Sequence, residues 1–84
     1  MKSVLKWFAP VGMDVTVPAG KVVLFGRDIK NDLCMWVETD DRVENSYRAR
    51  VLATGEEVPD GFAHAASFID GGFVWHLYVK GISF

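Results

Sequence analysis

The chain has 84 residues, enough for one compact domain that hides a little over ~60% of the surface its unfolded form exposes, and too few for a deep cleft between domains. Half of the residues are hydrophobic and 13% are aromatic, which excludes a disordered chain. Nine basic against eleven acidic residues give a net charge of -2, a balance that argues against a nucleic-acid partner.

Along the chain, short apolar runs rich in valine and aromatics alternate with Gly, Pro, Asp and Asn, which is a β signature. No window keeps helical periodicity for the ~11 residues a helix needs. KSVLKWF (2–8) reads as a first strand, ended by Pro10 and Gly12. It opens no secretory signal, because Lys6 interrupts the apolar stretch and Asp14 follows. DVTV (14–17) alternates, with Val15 and Val17 on one side, and Pro18 stops it because proline cannot donate to a ladder. PAGK (18–21) is a turn into the buried strand KVVLFG (21–26), and RDIKND (27–32) is a polar hairpin loop. LCMWVET (33–39) is the next strand, followed by the charged, solvated DDRVEN (40–45).

SYRARVLA (46–53) sets Tyr47, Ala49 and Val51 on one face and Arg48, Arg50 and Leu52 on the other. TGEEVPDG (54–61) is a turn-rich connection. The alanines of FAHAASF (62–68) suit a short helix, while its spacing to the next strand across Asp-Gly-Gly favours a hairpin. In FVWHLYV (73–79), Phe73, Trp75, Leu77 and Val79 share an apolar face that should point inward. Val74, His76, Tyr78 and Lys80 share the other. The expected fold is all-β: an antiparallel meander of five to seven strands, curled into a sandwich or a partly closed barrel to protect its edges. No run approaches the ~20 apolar residues of a membrane helix, so no membrane association is expected.

The residues that could carry chemistry are scattered. His64, His76 and Cys34 lie on three segments with no metal-ligand spacing, and no metal or cofactor is expected. The lone cysteine excludes an internal disulfide and fits a reducing compartment. Between Leu33 and Met35, Cys34 reads as a small buried hydrophobe rather than a nucleophile. No serine has the strand-turn-helix setting of a nucleophile elbow, and no glycine loop opens a helix to cradle phosphate. These absences point to a non-enzymatic protein.

Two surfaces stand out as binding candidates. If Leu33, Met35 and Val37 face inward, Trp36 faces outward with Cys34 and Glu38, as an interface anchor or under a covering loop. Arg48, Arg50, His76 and Tyr78, with Lys80, form a second cluster if 46–53 and 73–80 are neighbouring strands. That cluster is either a solvated outer face or a contact surface. Its cations would also suit the phosphates of a small nucleotide-like ligand, the alternative to a protein partner. Open sheet edges make a homodimer an expected form of self-association.

Four pieces of the chain, VTVPAGKVVLF (15–25), LCMWVETD (33–40), YRARVLATGEEVPD (47–60) and SFIDGGFVWHLY (67–78), resemble a family of small uncharacterised proteins encoded by bacteriophages and prophages. The chain departs from that pattern at Ala53, where the family usually has glycine. The resemblance implies a small all-β protein with no assigned activity and no catalytic residues to carry over. It also implies a setting, a phage gene product in the host cytoplasm. Small proteins of that kind often bind a host or phage protein as inhibitors of host machinery or defence.

Overall fold

The computed structural model describes residues 1–42 and 45–82, and every regular element in them is a strand. The strands are β1 (Lys2–Phe8), β2 (Val15–Pro18), β3 (Lys21–Arg27), β4 (Leu33–Asp40), β5 (Ser46–Ala53), β6 (Ala63–Asp70) and β7 (Phe73–Ile82). The segment whose alanines suited either state is strand β6, and Ala65 and Ala66 pack against the core from it. Of the loop expected to be solvated over 40–45, Asp41, Arg42 and Asn45 are exposed and Asp40 is half-buried, while 43 and 44 lie outside the described residues.

The strands form two antiparallel sheets, ordered β1-β4-β3 and β2-β5-β7-β6. The chain passes between the sheets after β1, β2 and β4, so the meander keeps two true hairpins, β3–β4 and β6–β7. The Cα envelope is 39 × 32 × 16 Å, and the thin dimension fits two sheets stacked about 10 Å apart. No ladder among the described residues closes the sheets into a barrel. The passage from β2 to β3 is tight because Gly20 lies against β4: a Cβ there would collide with the Glu38 carbonyl oxygen. At the β6–β7 hairpin, Gly71 has φ +59° at the first loop position, where a type II′ turn needs a positive value.

Alternation places the core. Phe25, Met35 and Val37 from one sheet share a buried cluster with Val17, Ala49, Val51 and Leu77 from the other. The edge strands β3 and β6 are joined across the gap. Phe25 and Phe68 meet edge to face at 5.1 Å, worth about 0.5–1.5 kcal/mol beyond simple burial. Arg27 Nε and Nη2 donate to Asp70 Oδ2 at 3.0 and 2.8 Å, and Trp75 Nε1 donates to the same oxygen at 3.2 Å. The Arg27 guanidinium, and after it the indole N–H, hold the Asp70 carboxyl below its ordinary value.

Two burial expectations fail. The strand read as buried, β3, is an edge strand on which Phe25 is buried while Val23 and Leu24 are 44% and 57% exposed, because no strand among the described residues covers its outer side. Trp75, Leu77 and Val79 do pack on the core side, but Phe73 is 63% exposed. It starts β7 at the hairpin end and stacks on Trp75 (5.8 Å, 14°) instead of entering the core.

The β3–β4 loop is built on Asp28. Its Oδ1 accepts the backbone N–H groups of Lys30 (3.0 Å) and Asp32 (2.9 Å), and its Oδ2 takes Lys6 Nζ at 3.0 Å. Asn31 holds φ +67° inside this turn. The Lys6 ammonium first, then the backbone N–H of Asp32, lower the Asp28 carboxyl from 3.8 to about 2.

Two outcomes follow from this packing. Leu77→Ala should cost about 2–5 kcal/mol in urea unfolding, whereas Phe73→Ala should cost under about 1 kcal/mol. Equal losses would contradict the exposed placement of Phe73. Because the folded protein favours the Asp28 carboxylate, its contribution is present above the ordinary carboxyl value of 3.8 and disappears as pH falls toward 2. Asp28→Asn should therefore melt lower than the unsubstituted protein at neutral pH, with the gap closing between those two values. A gap that persists to the acid end would remove the charge from this account.

Candidate functional site

The outer face of the four-stranded sheet gathers four of the five residues singled out in the sequence. β5 and β7 lie side by side in a register that sets Arg48 opposite Lys80, Arg50 opposite Tyr78 and Leu52 opposite His76. β6 adds His64 opposite Tyr78 and Ser67 opposite His76. Just before β2, Asp14 answers both arginines: its carboxylate oxygens lie 2.7 Å from Arg50 Nε and 3.8 Å from Arg48 Nε. The shorter contact is an ion pair without the alignment of a hydrogen bond, and Arg50 Nε is buried with no hydrogen-bond acceptor among the described residues.

Leu52 belongs to this outer face but is only 3% exposed, because the connection from β5 to β6 closes over it. Glu56 locks the start of that connection: its Oε1 accepts the Ala53 N–H at 3.0 Å, and its own N–H donates to the Ala53 carbonyl at 3.1 Å. A cavity of about 160 Å³ remains between loop and sheet, bordered by Thr54, Val58, His76 and Tyr78.

Beside the cavity runs a chain of polar contacts. His64 Nε2 lies 2.7 Å from Ser67 Oγ, Ser67 Oγ lies 2.7 Å from His76 Nδ1, and His76 Nε2 lies 2.9 Å from Thr54 Oγ1. The Thr54 hydroxyl donates to the Val74 carbonyl at 3.5 Å. With that proton turned to the Val74 carbonyl, Thr54 accepts from His76 Nε2–H. Neutral His76 then has its lone pair on Nδ1, Ser67 donates to it, and Ser67 in turn accepts from His64 Nε2–H. The His64 ring also meets Tyr78 edge to face at 5.5 Å. The chain therefore holds His76, Ser67 and His64 in fixed orientations on an open sheet surface.

Trp36 is on the opposite side of the molecule. It lies half-buried at the centre of the outer face of the three-stranded sheet, between Lys6 and Leu24. Val4, Phe8 and Leu24 on that face are 53%, 60% and 57% exposed. Cys34 shares the face yet is fully buried, and burial pushes its thiol up, leaving less thiolate at neutral pH. No three His, Cys, Asp or Glu side chains converge on a common point among the described residues. No helix among those residues is long and apolar enough to cross a membrane.

Sequence reasoning missed His64, Ser67 and Thr54. Ser67 was within reach: counting back from a two-residue turn at Gly71–Gly72 puts it opposite His76. His64 was not, because the pairing register shifts between His64 and Ala66. Nitrogen NMR of the imidazoles at alkaline pH should find His76 as the Nε2–H tautomer, and Ser67→Ala or Thr54→Val should shift it toward a tautomer mixture. An Nδ1–H His76 in the unsubstituted protein would reverse the direction of the chain.

No curated protein and no solved structure matches the chain. A family model does match it, over residues 1–83, and carries no assigned activity. The all-β sandwich with its basic, histidine-bearing face is thus a member of the DUF7352 family, a domain of unknown function.

Proposed function

We propose that this protein is a non-enzymatic binding module whose contact surface is the outer face of the four-stranded sheet, and that its partner is a protein presenting carboxylates. The observation that carries the reading is the face itself. Arg48, Arg50 and Lys80 line up on β5 and β7 around Tyr78 and His76, with Asp14 the acid paired to the two arginines. Tyrosine and arginine dominate the energetics of protein interfaces because each brings large contact area and directed hydrogen bonding. The fixed His76–Ser67–His64 chain reduces the ordering cost of contact.

The cavity on this face favours a protein partner over a nucleotide-sized ligand. At about 160 Å³ it is smaller than the ~300–1,000 Å³ of pockets that hold such molecules. A flat, charged, aromatic surface suits a protein better. The setting we propose is that of a phage gene product in the cytoplasm of its bacterial host, where the partner is a host or phage protein and binding inhibits it.

The test uses the immobilised protein and bacterial lysate, with and without phage infection. A specific partner should be retained by the unsubstituted protein and by Trp36→Ala. Arg48→Glu should weaken it by about tenfold or more, chiefly in association rate and most strongly at low salt, and Tyr78→Ala should cost about 2 kcal/mol of affinity or more. A partner held equally well by Arg48→Glu and Tyr78→Ala would show that this face is not the contact.

A further inference from the structure

The two sheets have four edge strands, β1 and β3 in one and β2 and β6 in the other. Three are protected against pairing with another chain. β3 and β6 each shift register, between Val22 and Leu24 and between His64 and Ala66, and β2 has four residues ending in Pro18. β1 has none of these devices: seven residues run in unbroken register against β4. Beside the exposed Lys2 and Lys6, it also leaves apolar side chains uncovered on both faces. Val4 and Phe8 are exposed on the outer face, and Leu5, on the inner face, is still 40% exposed.

The open hydrogen-bonding groups of β1 can be identified. The Asp41 N–H donates to the Met1 carbonyl at 3.2 Å, and the Ala9 N–H donates to the Leu33 carbonyl at 2.9 Å. Odd-numbered residues of β1 therefore bond to β4. By alternation, the N–H and C=O groups of Lys2, Val4, Lys6 and Phe8 point away from the sheet.

We infer that this edge pairs with β1 of a second copy, antiparallel across a two-fold axis at Leu5. Three registers keep equivalent faces together near the strand centre. An axis at Lys6 sets two lysines against each other, and an axis at Val4 sets Lys2 against Lys6, so both oppose like charges. The axis at Leu5 avoids this. It sets Lys2 against Phe8 of the partner subunit and Val4 against Lys6 of the partner subunit. These are the residues whose backbone groups are free, so each pair exchanges both hydrogen bonds. Within one chain Lys6 Nζ already lies 5.4 Å from the Phe8 ring centroid, and the lysine–phenylalanine pairing repeats that contact between chains.

On the inner face, the two Leu5 side chains meet at the axis as a non-hydrogen-bonded pair, and Trp7 faces Ser3 of the partner subunit. The Trp7 Nε1–H is buried and finds no acceptor among the described residues, and the serine brings a hydroxyl to its side of the sheet. This interface lies on the other sheet from the proposed partner-binding face, so each stands or fails alone.

Sedimentation or light scattering of the full chain at tens of micromolar should give twice the 9.4 kDa of one chain. Val4→Pro removes an N–H that β4 does not use, so circular dichroism should stay native while the dimer dissociation constant rises by about tenfold or more. Leu5→Cys should cross-link into a disulfide dimer under mild oxidation, because a non-hydrogen-bonded pair brings Cα atoms to about 4.5 Å, within the span of a disulfide, whereas Val4→Cys should not. A monomeric mass at those concentrations overturns the proposal. So does a dimer indifferent to Val4→Pro, or cross-linking through Val4→Cys in place of Leu5→Cys.

Discussion

Both outer faces are positioned by one apolar seam, the cluster in which Met35 and Val37 of β4 share the interior with Val51 of β5 and Leu77 of β7. In a chain this small that seam has no reserve, since the surface hidden on folding is only a little above ~60%. Alanine at 9 and 49, each fully buried, lets the two layers approach closely. Because side chains alternate strictly between ladders, fixing Leu77 inward also fixes His76 and Tyr78 outward, and fixing Val51 inward does the same for Arg50 and Leu52. The proposed binding face is a consequence of the core.

Polar contacts then hold the margins. The Arg27–Asp70 pair is about a third exposed at each partner, so it adds little to stability as an ion pair. Its weight is geometric: with the Phe25–Phe68 contact it joins β3 to β6, strands from different sheets, at the edges most exposed to slippage. Asp28 works in the same way at the other turn, where one carboxylate satisfies two backbone N–H groups and a lysine. Each of these acids also takes one partner from a segment distant in sequence, Arg27 for Asp70 and Lys6 for Asp28, which no local spacing announces.

What the sequence revealed and what it hid divide along that line. Strand positions were legible because period-2 runs end at proline and glycine, and the faces of β4, β5 and β7 follow from alternation alone. Trp36, Arg48, Arg50, His76 and Tyr78 all turn toward the faces that alternation assigns. The distribution of strands between two sheets was not legible, because crossings depend on close approaches such as Gly20 against Glu38. The bulges were not legible either. Counting by twos from Phe68 turns His64 inward, and the extra residue at Ala65 turns it out to meet Ser67 and Tyr78. Phe73 failed for a related reason: alternation gives a direction, but not whether anything lies opposite the end of a strand.

Net charge was silent about this face, for a reason the topology supplies. A total of -2 says nothing about where the charges sit. Asp28, Glu38 and Asp40 are tied to the three-stranded sheet or its turns, while the four-stranded sheet turns Arg48, Arg50 and Lys80 to one side. The two-fold proposed at Leu5 stands perpendicular to the three-stranded sheet, as it must when equivalent faces pair. Both four-stranded sheets then lie on the same side of a continuous six-stranded layer, and both basic faces point the same way. A partner with two acidic sites, or two partners on one assembly, would meet them together, raising effective affinity without any new contact. An edge left open in one sheet thereby gives the other sheet, which carries the proposed binding face, a second copy of itself.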